Sequence, residues 1–259
     1  MVAVRVDQPD GAEGGAEGGA DTAPTADGGA SRTHPSRDGP TPADADSVRR
    51  ARVDRVVEHR ANVDAAYREY AIDQAYEKVR EIERGTVTPA MKRIEAEDPE
   101  RHLAGLENRL KGKDRLAEKV YEAMTERVRT VDQALATIKD AIRYTFCYSD
   151  DRYAEGVDAD CERLERAGFR SVDRRNSWAA EEYKGINTRW WVPGTVQLFE
   201  VQFHTEASLA AKEETHWAYE KLREPATSKT EQESLSAYQR EVTTRIPTPP
   251  GALDIPDYP

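Results

Sequence analysis

Glu200-Val201-Gln202-Phe203-His204-Thr205 is the stretch on which the reading of this chain turns. In a β-strand, alternation sends Val201 and Phe203 to one face and Glu200, Gln202 and His204 to the other. The apolar pair suits a core. A carboxylate inside so apolar a strand is costly unless it has a partner or a task. Working outward, Val196 to His204 and Ile186 to Val192 read as two strands joined at Pro193-Gly194-Thr195, a hairpin signal. Ala141 to Tyr148, rich in aromatic and β-branched residues, reads as another strand, and Phe169 to Val172 as a short fourth.

The segments between and around these strands carry helical periodicity. Ser47 to Arg84 repeats Val53, Val56, Val57, Val63, Tyr67, Tyr70, Tyr76, Val79 and Ile82 at helical spacing, with Gly85 and Pro89 as its end. Further helices are expected at 89–97, 99–106, 114–129, 131–139, 150–167 (closed by Gly168), 206–223 and 230–244. The fold class is therefore α+β, a small mixed sheet flanked by helices. Residues 1–45, with the imperfect Gly-Ala-Glu-Gly-Gly repeat at 11–20, cannot bury a core and read as a disordered low-complexity tail. The remainder divides into a helical extension (46–104), a core domain (105–246) and an irregular tail (247–259).

Composition narrows the function. Of 259 residues, 34% are charged and 37% hydrophobic, and no apolar run has the length of a membrane span. The N-terminus lacks the basic-then-apolar pattern of a secretory signal, so a cytoplasmic protein is expected, although an effector exported without a signal would read the same. A net charge of −11 argues against broad nucleic-acid binding. Two cysteines, Cys147 and Cys161, are too few for a disulfide framework or a zinc site, and read as one buried and one partly exposed thiol.

Four clusters carry chemistry. Arg109, Lys111 and Lys119 surround a loop that enters a helix, a common phosphate-binding device. Asp140 stands at a strand start with Arg143 inside the strand. The acid suits Mg²⁺ and the planar guanidinium suits phosphate. In Tyr183-Lys184-Gly185 the ring can stack on a base while the cation meets its phosphates. Glu200 can share a Mg²⁺ with Asp140 or act as general base toward a hydroxyl. Each cluster alone has a plainer reading: a solvated basic surface, a surface ion pair, a turn with an exposed tyrosine.

Together they resemble the RelA/SpoT-type alarmone synthetases. Arg109-x-Lys111 with Lys119 is similar to that family's basic motif, with Arg115 where a serine is usual. Tyr183-Lys184-Gly185-Ile186-Asn187-Thr188, Glu200-Val201-Gln202-Phe203-His204-Thr205, and His216 with Tyr219 resemble three further motifs in the family's order. The resemblance spans roughly 105–223. It departs at Ile138, where the family places its metal-binding Asp, and at Glu182 and Asn187. It implies a nucleotidyltransferase-like fold and Mg²⁺-dependent transfer of the β,γ-pyrophosphate of ATP to the 3′-hydroxyl of an acceptor nucleotide (GDP, GTP or an adenine nucleotide), with release of AMP. Carried over by position, Arg109, Lys111 and Lys119 bind ATP, and Tyr183, with Lys184 and Asn187, binds the acceptor. Glu200 is base or metal ligand with Asp140, and Arg143, Gln202 and His204 orient the site and bind phosphate. Two alternatives stay open: pyrophosphorylation of the tRNA 3′ end by a toxin-like member, and a catalytically degenerate nucleotide-binding module. A homo-oligomer, an antitoxin or a hydrolase are partners compatible with such a chain.

Overall fold

Two central strands bring the chemistry of distant segments side by side, and the rest of the domain holds them there. The computed structural model describes residues 42–126 and 130–258. Most of the predicted low-complexity tail, residues 1–41, and the end of the helix expected at 114–129 lie outside the described residues. Residues 42–45, expected in that tail, are helical, with Pro42 in the first turn where its missing N–H costs nothing. The chain divides into units at 1–55 and 56–259. In the first, residues 42–55 belong to α1 (Pro42–Ile82), and Val53 is exposed.

In the second unit, α1 exposes Val56, Val57, Val63, Tyr67 and Tyr70, and it buries residues only from Ile72 onward, with Ala75 and Val79. Gly85 and Pro89 do not end the helical path as expected. A single π turn, Glu83–Val87, carries it directly into α2 (Thr88–Ala96), with Pro89 within the first two positions. The helix expected at 99–106 is instead strand β1, Arg101–Ala104, antiparallel to β2 (Arg143–Tyr148). Its local pattern is ambiguous, and a long-range bond decides it. Arg101 is buried in an ion pair with Asp160 of α5 (Tyr153–Arg166) and also donates to the Ile94 carbonyl at 2.6 Å.

The remaining elements follow the expected order: α3 (Lys113–Glu126), the short α4 (Val131–Leu135) capped by Thr130, β3 (Arg170–Asn176), β4 (Ile186–Trp191), β5 (Leu198–Thr205), α6 (Glu206–Leu222) and α7 (Lys229–Thr244). The five-stranded sheet runs β1-β2-β5-β4-β3, with β2 and β5 parallel and the other pairs antiparallel. Together with the flanking helices this is the mixed α+β fold expected. Tyr144, Phe146, Ile186, Trp190, Phe199, Val201 and Phe203 bury one face of the sheet, where Tyr153 of α5 donates to the Phe203 carbonyl at 2.8 Å. α6 approaches the opposite, polar face. The tail after 246 is irregular but pinned to β3: Asn176 donates to the Ala252 and Ile255 carbonyls at 2.7 and 2.8 Å. Cys161, expected partly exposed, is buried, as is Cys147. Among the described residues, no helix is long and apolar enough to cross a membrane.

The Arg101–Asp160 pair has fully buried side chains, and Tyr148 also donates to Asp160 at 2.6 Å. Removing one charge leaves the other uncompensated in the interior, so Asp160→Ala is expected to cost about 3–5 kcal/mol of unfolding free energy. Urea denaturation of the two proteins measures this, and a loss below 1 kcal/mol, on the order of an exposed pair, would contradict it.

Candidate active site

The parallel register of β2 and β5 sets Arg143 beside Glu200, Thr145 beside Gln202 and Cys147 beside His204. On the other side of β5, β4 sets Arg189 beside Glu200 and Asn187 beside Gln202, and β3 adds Asp173 beside Arg189. One row across four strands thus reads Arg143, Glu200, Arg189, Asp173, with charges alternating in sign. Such lateral pairs stabilise a sheet where like charges would oppose it.

A continuous chain of bonds runs along this face. Lys119 reaches the two Asp140 oxygens at 2.8 and 3.1 Å, and Lys111 reaches Oδ2 at 3.0 Å. Arg143 bridges the two acids, with Nη2 at 3.2 Å from Asp140 and Nε at 2.9 Å from Glu200 Oε1. Gln202 donates to the same Glu200 oxygen at 2.6 Å and accepts from Lys212 of α6 at 2.6 Å. Burial alone would raise the Asp140 carboxyl, but hydrogen bonds from Lys119 and Lys111 outweigh it and hold the group down at about 2. Burial, followed by the Arg143 guanidinium, lowers the Lys212 ammonium to about 8, against the pull of Glu200.

The donor set discriminates between the two expected metal ligands. Both Asp140 oxygens are engaged by cations, three in all, so a divalent ion there would meet concentrated positive charge. Asp140 does not fit a Mg²⁺ ligand in this arrangement. It fits a counter-ion that holds Lys111 and Lys119 together. Glu200 takes both of its bonds on Oε1, and its Oε2 is the oxygen suited to a metal or to a hydroxyl proton.

A second network adjoins the first. The Tyr183 hydroxyl donates to Asn187 Oδ1 at 2.9 Å and lies 2.9 Å from His204 Nε2, while His204 Nδ1 lies 2.8 Å from the Ser208 hydroxyl. Both ring nitrogens of the fully buried His204 are thus engaged, and burial, followed by Lys212, lowers its pKa to about 3. A neutral, enclosed imidazole does not match the phosphate contact expected of it; it positions Tyr183. Gly185 makes this approach possible. It sits at φ +152°, and a Cβ there would stand 2.8 Å from the His204 ring.

Two expected ligands are committed elsewhere. The Arg109 guanidinium bonds Glu83 at 2.7 Å and the Leu106 carbonyl at 2.9 Å, although its backbone carbonyl accepts from Arg143 at 2.8 Å. The Lys184 ammonium bonds the Trp178 and Ala180 carbonyls at 2.9 and 2.6 Å, which closes the loop before β4 rather than facing the cluster. His216 and Tyr219 are exposed on α6. Sequence reasoning missed Lys212, Arg189 and Asp173. Lys212 did leave a trace: Ser208, Lys212 and Thr215 share one helical face, and the residues on either side of the lysine there are buried.

No family model and no curated protein matches the sequence. Solved structures do. Small alarmone synthetase 1 from Bacillus subtilis, bound to its product pppGpp, is similar at 17% identity over 67% of this chain and 88% of that chain, with a TM-score of 0.42. Small alarmone synthetases stand among its structural neighbours. A GTP pyrophosphokinase family protein from Streptococcus pneumoniae is similar at 18% identity over 69% and 90%, with a TM-score of 0.38. The Type VI effector Tas1, in complex with its immunity protein, is similar at 16% over 68% and 95%, with a TM-score of 0.46.

The neutral His204 has a measurable consequence. An unfolded histidine takes up a proton near pH 6.5, and His204 in the fold resists to about 3. Between these values the unfolded state binds the extra proton, so stability falls as pH drops from about 6.5 toward about 3. Denaturation at pH 7 and pH 4.5 should show a steeper loss for the unaltered protein than for His204→Gln. Equal slopes would mean that His204 is not held neutral.

Proposed function

We propose that this chain transfers the β,γ-pyrophosphoryl group of ATP to a hydroxyl of an acceptor nucleotide and releases AMP. One observation carries this reading. Lys111 and Lys119 of one segment resembling an alarmone-synthetase motif and Glu200 and Gln202 of another meet, through Asp140 and Arg143, in one chain of bonds, Lys119–Asp140–Arg143–Glu200–Gln202–Lys212, with Lys111 on Asp140. Three cations share two carboxylates on a half-buried face, and a fourth, Lys212, bonds the adjoining Gln202. That surplus of positive charge suits a polyphosphate, whose transfer demands positioning and charge neutralisation more than covalent help.

In this reading Lys111, Lys119, Arg143 and Lys212 hold phosphate oxygens, and Asp140 spaces the first three. Glu200 receives the acceptor hydroxyl's proton as that oxygen bonds to the β-phosphorus. The bond from the β-phosphorus to the α,β-bridging oxygen breaks, and AMP leaves with that oxygen. Gln202 fixes Glu200 from one side and Arg143 fixes it from the other. Tyr183, anchored by Asn187 and His204, offers its ring to the acceptor base. Glu200 would hold a Mg²⁺ ion together with phosphate oxygens, and the ion would neutralise phosphate charge there. In this reading the surplus charge of this cluster, not the net charge of the chain, selects a nucleotide.

The test is incubation of the protein with Mg²⁺, γ-labelled ATP and, separately, GDP, GTP, AMP, ATP and bulk tRNA. Label on a mononucleotide with release of AMP is the expected result. Label on tRNA, or tight binding of nucleotide with no transfer, would replace this reading. Glu200→Gln should lower the transfer rate by about 10²–10⁴-fold. Lys212→Met should lower it by about 10²-fold, with both variants retaining their circular dichroism spectra. Normal transfer by Glu200→Gln would remove Glu200 from the chemistry.

A further inference from the structure

At the other end of the polar sheet face, three potential metal ligands of three different kinds converge. His102 of β1 stands directly opposite Cys147 of β2 in the antiparallel register, so their side chains leave the same face as neighbours. Glu206 is the first residue of α6. Its position is set by Thr205, which caps the helix through a reciprocal pair of bonds with Ser208 and is itself registered against Tyr148. A nitrogen of His102, the sulfur of Cys147 and an oxygen of Glu206 all lie within 4.8 Å of one another, and His102 Nε2 is 3.8 Å from Glu206 Oε1.

We infer that His102, Cys147 and Glu206 form a mononuclear site for a divalent transition ion of borderline softness, zinc foremost. Bonds of about 2.0–2.3 Å to nitrogen, oxygen and sulfur place tetrahedral ligand atoms roughly 3.3–3.8 Å apart. The cluster therefore needs only a small contraction, which the side chains of the exposed His102 and Glu206 can supply. The mixed N, S, O set suits zinc and disfavours magnesium and calcium, which take oxygen alone. Charge balances as well: thiolate and carboxylate neutralise a 2+ ion, and the imidazole binds neutral. Cys147 gives its thiol proton to solvent as the sulfur–metal bond forms, and a water completes four-coordination. Exposure of the imidazole and the carboxylate gives the ion a path in, while the buried sulfur closes the site from the protein side.

The site is distinct from the phosphate-binding cluster. Cys147 lies four residues along β2 from Arg143, about 13 Å at strand spacing. Bound metal would join the edge strand β1, the central strand β2 and the start of α6 at one point. Two cysteines suggested no zinc site in the sequence because neither has a second cysteine or histidine at a ligand spacing. The convergence is created by strand pairing.

The test uses the full chain, stripped with chelator and titrated with Co²⁺. The expected result is one equivalent bound with a near-ultraviolet thiolate-to-cobalt charge-transfer band, bleached on addition of Zn²⁺. Cys147→Ser should abolish the band, and Cys161→Ser should leave it. Because Cys147 is buried and its variant could unfold, His102→Ala and Glu206→Gln, both at exposed positions, provide the second arm. Each should weaken Co²⁺ binding by at least about ten-fold, the loss seen for groups one shell further out. No thiolate band, a band that survives Cys147→Ser, or binding unchanged in both exposed variants would overturn the site. None of these readouts depends on pyrophosphate transfer.

Discussion

Crowding of like charge is the constraint around which this domain is organised. Lys111 and Lys119 both bond Asp140 Oδ2, at 3.0 and 3.1 Å, so their ammonium groups stand no more than about 6 Å apart. At an effective dielectric near 20, two unit charges at that distance repel by roughly 3 kcal/mol. Asp140 offsets this repulsion, and Arg143 extends the arrangement by bridging Asp140 to Glu200. The bridge exists because β2 and β5 are parallel neighbours in a register that sets Arg143 against Glu200. A slip of β5 by one residue would turn Glu200, Gln202 and His204 to the other face. The apolar alternation of Val201 and Phe203 against Tyr144 and Phe146 forbids that slip, so the core fixes the register and the register fixes the site.

The division between what sequence shows and what it conceals follows from range. β5, its hairpin partner β4, β2 and α6 were legible because their patterns are local: alternation, a Pro-Gly-Thr turn, a helical run rich in charge on its outer face. β1 was not, because Arg101-His102-Leu103-Ala104 is too short to show a period. Its conformation is set by pairing with β2 and by the buried bond from Arg101 to Asp160. The continuation of α1 through Gly85 and Pro89 depended on a π turn, whose residue Glu83 is buried against Tyr144 and Arg109.

The site divides in the same way. Motif spacing singled out Lys111, Lys119, Arg143, Glu200 and Gln202, which the fold brings into one bonded cluster, yet could not say which bonds each would make. Arg109 and Lys184 carry the right charge in the right motif and are held by Glu83 and by two loop carbonyls. His204 occupies a motif position as a cation in prospect, but complete burial beside Lys212 makes the charged form too costly. In each case residue type was readable, and protonation state and partner were products of tertiary burial.

Helix α6 ties these features into one mechanical unit. Its first residue reaches the His102–Cys147 pair, its third bonds His204, and its seventh bonds Gln202 beneath Glu200. The spacing places Ser208 and Lys212 one turn apart on the same helical face, and Thr205 clamps the first turn to the end of β5. A shift of that turn by one residue would withdraw the hydroxyl from His204 and the ammonium from Gln202 together. The helix therefore cannot adjust to one end of the polar face independently of the other. That explains why a half-buried lysine is tolerable at position 212: the rigidity of the capped turn holds it where the neighbouring Glu200 offsets part of its desolvation.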